Sequence, residues 1–393
     1  MKVAYVLNTT HANSGATKAF LLILKGMKRF DLQPLVIVPD KGGIYSELQQ
    51  QGIPVFAFSY RPHTYPYART WSEILLFLPR LLARLFVNGR AARQIAKVLK
   101  AAQVQIVHTN VGVVKVGYQA ARYARLPHIY HIREYASLAG FHYIPGPSAF
   151  YRQLLASDSY SVCITKDIQR HYKMEGHSRS SVVYDGVFQR KADMPQASQR
   201  TYFLFVGRIE PVKGLDQLLD AYAAYSAQTA HPIPLRVAGM MPDTDYCKSL
   251  RRFVVEHGLD GNVHFLGDCD HIDQQMLGAK AIIIPSLHEG FGFCMPEAMQ
   301  QGCLAIARNR AGTKEQLDNG LASEGQEIAL RYETTEQLVQ LLCEVATHPE
   351  NEYDSYRERA FLVVNRLYTM EQCSQQLYSI YQGIAAFSCP PQL

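Results

Sequence analysis

The chain has 393 residues, of which 48% are apolar and 19% charged, so it can bury large cores and is not a disordered polymer. Its length allows two or three domains. A net charge of +6 suits anionic ligands or an anionic surface without selecting between them. The eight cysteines, at 163, 247, 269, 294, 303, 343, 373 and 389, form no C-x-x-C pair and lack histidines at zinc spacing. They read as scattered reduced thiols of a cytoplasmic protein.

In chain order, Lys2 to Leu7 is a short apolar strand, too short and too poorly flanked for a signal peptide. Asn13-Ser14-Gly15-Ala16 is a turn, and Thr17 to Met27 has helical spacing. Leu35 to Val38, Val55 to Phe58, Ile106 to His108 and His128 to Ile132 are further strands, with helical patterns between several of them. That alternation predicts a parallel sheet with helices on both faces. The polar stretch from Tyr184 to Arg200 reads as a connection. A second alternating series follows: strands at Tyr202 to Val206, Leu235 to Ala238, Val263 to Leu266, Ala281 to Ile284 and Leu304 to Ala307, and helices at Leu215 to Ser226 and Pro296 to Gln301. Residues 360 to 386 are again helical. No apolar run is long enough to span a membrane.

Two loops carry chemistry. Glu289-Gly-Phe-Gly-Phe-Cys-Met-Pro-Glu297 follows a strand and enters a helix, with Pro296 suited to its first turn. Gly290 and Gly292 allow close backbone approach, helix-start amides suit a phosphate, and the two carboxylates can accept hydrogen bonds from hydroxyls. Gly207-Arg208-Ile-Glu-Pro-Val-Lys213-Gly214 also links a strand to a helix. Its guanidinium fork and its ammonium suit phosphate oxygens. Both loops leave the carboxyl ends of strands, where doubly wound sheets bind ligands.

Together with Gly312-Thr-Lys-Glu315, these residues resemble the family-4, or group 1, retaining glycosyltransferases, over roughly residues 200 to 320. Ser14-Gly15-Ala16 stands where that family often has a Gly-Gly pair, and His131-Ile-Arg133-Glu134 resembles its histidine-bearing strand end. The resemblance implies the GT-B fold: an α/β chain of two Rossmann-like domains facing a central cleft. Residues 1–190 would form the acceptor side, 200–365 the nucleotide-sugar domain, and 366–393 a helical segment returning to the first domain. It further implies a nucleoside-diphosphate sugar as substrate, a saccharide or lipid-linked acceptor, retention of configuration, and no cofactor or metal. Arg208 and Lys213 would hold the diphosphate, and Glu297 the ribose. Glu289 with Phe291, Gly292 and Phe293 would bind the sugar, Gly15 would line the donor site, and His131 would lie near the reacting carbon. A sugar-nucleotide epimerase and a non-catalytic nucleotide-sugar-binding protein remain as alternatives. Asn110 either lines the acceptor side or caps its strand, and Glu315 is read as a helix-start acid.

Residues 61 to 100 hold eight basic residues (Arg61, Arg69, Arg80, Arg84, Arg90, Arg93, Lys97, Lys100) against one acid, Glu73. The only tryptophan, Trp71, stands beside apolar clusters at Ile74 to Leu78 and Leu81 to Val87. One reading is a helix pair lying on an anionic membrane, which would place the protein on the cytoplasmic face. The other is a core-packed helix with a solvated basic face. No nucleic-acid recognition module is present.

Overall fold

The computed structural model describes residues 1–68, 70–135 and 142–388; Arg69 and Cys389 lie outside them. The chain divides into two compact units, Met1–Gly186 with Met370–Leu393, and Val187–Thr369.

The first unit is built on a parallel seven-stranded sheet: β1 (Lys2–Val6), β2 (Gln33–Val38), β3 (Val55–Ala57), β4 (Ile106–Thr109), β5 (His128–Ile132), β6 (Ser159–Cys163) and β7 (Ser180–Val182), in the order β3-β2-β1-β4-β5-β6-β7. The order reverses direction at β1 and β4, which pair directly. β4 and β5 are buried along their whole length, and that burial takes in His108, Thr109, His128 and His131. β6, Ser-Tyr-Ser-Val-Cys, and the three-residue β7 carry too few apolar residues to announce themselves in the sequence. The helix Gly15–Met27 starts two residues before the apolar periodicity does, with Ser14 as its N-cap residue.

The C-terminal helix Met370–Ser388 belongs to this unit and packs on the helix Gly15–Met27. Gly26 makes that contact possible, because a Cβ there would lie 2.5 Å from Ser374 Oγ. Phe30 stacks on Tyr378 at 4.2 Å, and Cys373, Leu377 and Tyr381 are buried in the same core as Val3, Tyr5 and Ile129. The helical pattern over 360 to 386 is therefore two helices, the other being Asp354–Leu367 of the second unit.

The second unit has a parallel six-stranded sheet: β8 (Tyr202–Val206), β9 (Leu235–Ala238), β10 (Val263–Gly267), β11 (Ala279–Ile284), β12 (Leu304–Arg308) and β13 (Leu330–Tyr332), in the order β10-β9-β8-β11-β12-β13. The reversal falls between β8 and β11, which pair in parallel. This brings the two loops with the basic and acidic motifs side by side at the carboxyl ends of neighbouring strands.

Candidate functional site

In the second unit, Lys213 Nζ lies 2.6 Å from Glu289 Oε1, and both side chains are largely buried. Ser286 Oγ donates to the same carboxylate oxygen at 2.8 Å. Two contacts hold the loops together. Leu287 N donates to Val212 O at 2.9 Å. Gly214, at φ +68°, passes so close to Pro285 that a Cβ would lie 2.4 Å from its carbonyl oxygen. Gly292 is also left-handed, at φ +88°, and folds back over Glu289, whose Cγ would lie 3.3 Å from an added Cβ.

The short helix Cys294–Gln300 begins two residues before Pro296, so the proline stands in the first turn, where its missing N–H costs nothing. Glu297 is partly buried in that same turn. Phe291 is buried and meets Phe293 edge-on at 6.0 Å and Tyr368 at 5.1 Å, so its ring is a structural anchor while its backbone stays in the loop. The loop is tied down from the helix Ala311–Glu324. Gln316 Nε2 donates to Phe291 O at 2.7 Å, and Gly312 N donates to Glu289 O at 3.1 Å. Ser286, Thr313 and Cys294 join Glu289 and Gly292 around a small recess at this point. Sequence reasoning missed Gln316, although it follows directly on the Gly312 to Glu315 motif.

Arg208 is not gathered into this cluster. Its side chain is exposed and pairs with Glu210 at 2.6 Å. A solvated guanidinium in the strand-to-helix loop can reorient towards an anion at little cost, whereas Lys213 is already fixed.

In the first unit, His131 ends β5 and is fully buried. Its Nδ1 lies 3.1 Å from His108 Nε2 and 3.2 Å from Arg133 NH2. His131 Nε2 has no hydrogen-bond partner among the described residues. Arg133 forms a buried ion pair with Asp185, and its Nε donates to Asn110 O at 3.0 Å. Asn110 Nδ2 in turn donates to Ala16 O at 2.8 Å, so Asn110 ties the end of β4 to the turn that carries Gly15. Gly15 has open space beside its Cα, so nothing packed around it demands a glycine. Burial pushes the pKa of His108 down to about 3 and that of His131 well below the usual range, with the Arg133 cation adding to both. Glu134 accepts from the backbone of Val113 and Arg133, yet burial pushes it up to about 7.

Residues 189–360 match the family model described as glycosyl transferases group 1. Among curated proteins, an uncharacterized glycosyltransferase of Methanocaldococcus jannaschii is 23% identical over 57% of this chain and 61% of its own length. The O-antigen chain mannosyltransferase RfbU of Salmonella typhimurium is 30% identical over 41% of this chain and 44% of its own length. The chain thus matches about half the length of these relatives. Among solved structures, Anabaena HepE in complex with UDP superposes with a TM-score of 0.74 at 20% identity, covering 98% of this chain and all of HepE. Its complex with UDP-glucose superposes with a TM-score of 0.72. At that identity the likeness speaks for the fold alone. Over residues 189–360 the chain is thus similar to the glycosyl transferases group 1 family, and its two parallel, Rossmann-like sheets have the GT-B fold.

Proposed function

We propose that the chain transfers a sugar from a nucleoside-diphosphate sugar to a saccharide or lipid-linked acceptor, with retention of configuration and without a metal ion, in polysaccharide or glycolipid assembly. The observation that carries this reading is the Lys213–Glu289 pair at the carboxyl ends of β8 and β11. A diphosphate entering there competes with Glu289 for the ammonium. Lys213 then stabilises the negative charge that grows on the leaving phosphate, and Arg208 turns in from solvent to add its fork. Glu289, relieved of the lysine, accepts hydrogen bonds from sugar hydroxyls, and Glu297 holds the ribose. The C1–O bond to the β-phosphate breaks as the acceptor oxygen bonds to C1 on the same face, and the acceptor proton passes to the departing phosphate oxygen.

The family model and the mannosyltransferase relative support transfer. The UDP and UDP-glucose complexes of HepE support a nucleotide-sugar donor. The resemblance assigns His131 to the reacting carbon, and its unpartnered Nε2 supports that assignment.

The test is a panel of uridine, guanosine and adenosine diphosphate sugars, offered with and without mono- and oligosaccharide or lipid-linked acceptors. Release of nucleoside diphosphate should require an acceptor and should persist in EDTA. Conversion of the donor without acceptor would identify an epimerase. Binding without turnover under every combination would identify a non-catalytic binding protein. Complete loss in EDTA, restored by magnesium or manganese, would overturn the metal-free mechanism.

A further inference from the structure

The helices Trp71–Leu75 and Phe77–Ala101 account for most of the basic stretch, and the longer one is divided along its length. Its second half packs on the unit through Asn88, Ala91, Ala92, Ile95, Ala96 and Leu99, spaced three or four residues apart. Its first half, with the shorter helix before it, leaves many large side chains exposed. Trp71 is 84% exposed and Phe86 72%, and Ile74, Leu75, Leu76, Leu78, Leu82 and Leu85 are exposed with them. These eight residues are half of the large exposed apolar side chains among the described residues, all within one sixteen-residue stretch. So dense a patch on one surface marks an interaction site.

The outward face has an order. Leu78, Leu82, Leu85 and Phe86 lead, at helical spacing, into Arg90, Arg93, Lys97 and Lys100, all exposed on the continuation of the same stripe. Arg80 lies exposed within the apolar end. The patch is anchored: Phe77 stacks on Tyr65 at 6.0 Å, and Arg84 donates to the Thr64 carbonyl. It is presented on the body of the unit.

We propose that this face docks on a lipid bilayer with anionic headgroups, the apolar end entering the interface and the basic end lying along the phosphates. The charge selects this occupant over a second copy of the chain. A symmetric contact burying this whole face would gather Arg90, Arg93, Lys97 and Lys100 of two copies into one interface, with Glu73 the one acid between positions 61 and 100 to offset them. No helix among the described residues is long and apolar enough to cross a membrane, so the face lies on the bilayer. The inference does not rest on the donor site. It would put the protein where a lipid-linked acceptor resides.

The lone tryptophan makes the test direct. Full-length protein is sedimented with vesicles of phosphatidylcholine alone and of phosphatidylcholine mixed with phosphatidylglycerol, and Trp71 emission is recorded. Binding to the anionic vesicles with a blue shift is the expected result. Arg90→Gln, Arg93→Gln and Lys97→Gln together should weaken that binding about 100-fold. Leu82→Ser with Phe86→Ser should abolish the blue shift. These side chains are exposed, so both variants should keep the melting temperature and nucleotide affinity of the parent. The proposal fails if the protein ignores both vesicles at low salt, or if it binds neutral and anionic vesicles alike. It fails equally if sedimentation velocity shows a dimer that the Ser substitutions dissociate, which would assign the face to a second copy.

Discussion

His108 Nε2 lies 3.1 Å from His131 Nδ1, and the neighbours of the two rings settle which way that hydrogen bond runs. Arg133 has only N–H groups to offer, and its NH2 lies 3.2 Å from the same Nδ1, so Nδ1 accepts. His108 Nε2 therefore donates. Burial keeps both rings neutral, which leaves His108 Nδ1 to accept from the Tyr381 hydroxyl at 2.5 Å. The His131 proton is then on Nε2, the nitrogen that has no partner among the described residues. A donor held buried and unmatched costs about 1–3 kcal/mol, a cost a ligand oxygen would remove.

Tyr381→Phe should therefore disturb the tautomer of His131 without touching the second unit. We expect a fall in kcat of about tenfold, with nucleoside-diphosphate affinity unchanged and the nitrogen chemical shifts of His131 displaced. His131→Ala should lower kcat further. A Tyr381→Phe protein with native kcat and native His131 shifts would show that the hydroxyl only fills space.

Lys213→Ala should weaken nucleoside-diphosphate binding about 10- to 100-fold, the range for a lost hydrogen bond to a charged group. Arg208→Ala should cost less in affinity of the bare nucleotide, because the side chain is exposed and must leave Glu210 to engage. Titration calorimetry of the two variants checks the order. The reverse order would mean that Arg208 is the main diphosphate ligand.

Glu289 and Glu297 should separate. Glu289→Gln frees Lys213 from its partner, so bare nucleoside diphosphate should bind as tightly as before or more tightly, while transfer slows at least tenfold. Glu297→Gln should weaken the nucleotide itself if it holds the ribose. Equal losses of nucleotide affinity in both variants would contradict these roles.

The buried histidines should make the first unit acid-sensitive. His108 falls from 6.5 to about 3 in the folded chain, and His128 and His131 move the same way, so between those values the unfolded chain binds more protons. Their contribution is complete above about pH 6.5 and is lost as pH falls towards 3, at about 1.4 kcal/mol per pH unit for each fully shifted group. Glu134, raised to about 7, acts oppositely: its contribution is complete below about pH 4.5 and lost as pH rises through 7. His63 also falls, to about 4, and burial raises Asp185 as it does Glu134. These four lowered histidines stand against two raised carboxyls, so the melting temperature should fall from about pH 6.5 towards pH 4, less steeply in His108→Gln. A flat profile would mean that these rings are solvated.

Much of the fold was legible because parallel strands buried on both faces are short apolar runs bounded by turns. β1, β2, β8, β11 and β12 have this form over most of their length. β6, β7 and β13 escaped because two serines or a three-residue length leave no such run. In the sequence the basic segment admits two readings, because exposure of Trp71 and Phe86 against burial of Ile95 and Leu99 depends on what lies beside each part of the two helices.

The sequence by itself determined the residue types at the two loops of the second unit, their places after strands, and the glycines that let backbone approach backbone. These are local properties, read over spans of ten residues. Only the tertiary structure decided which of those residues meet. Lys213 and Glu289 are 76 positions apart and touch because β8 and β11 are neighbours in the sheet, while Arg208, in the same loop as Lys213, is left in solvent. His108 and Tyr381 are 273 positions apart and touch because the last helix closes the core of the first unit. Neither pairing leaves a mark in composition or periodicity, because strand order and helix docking are chosen by the burial of whole faces and not by the polar groups that end up side by side.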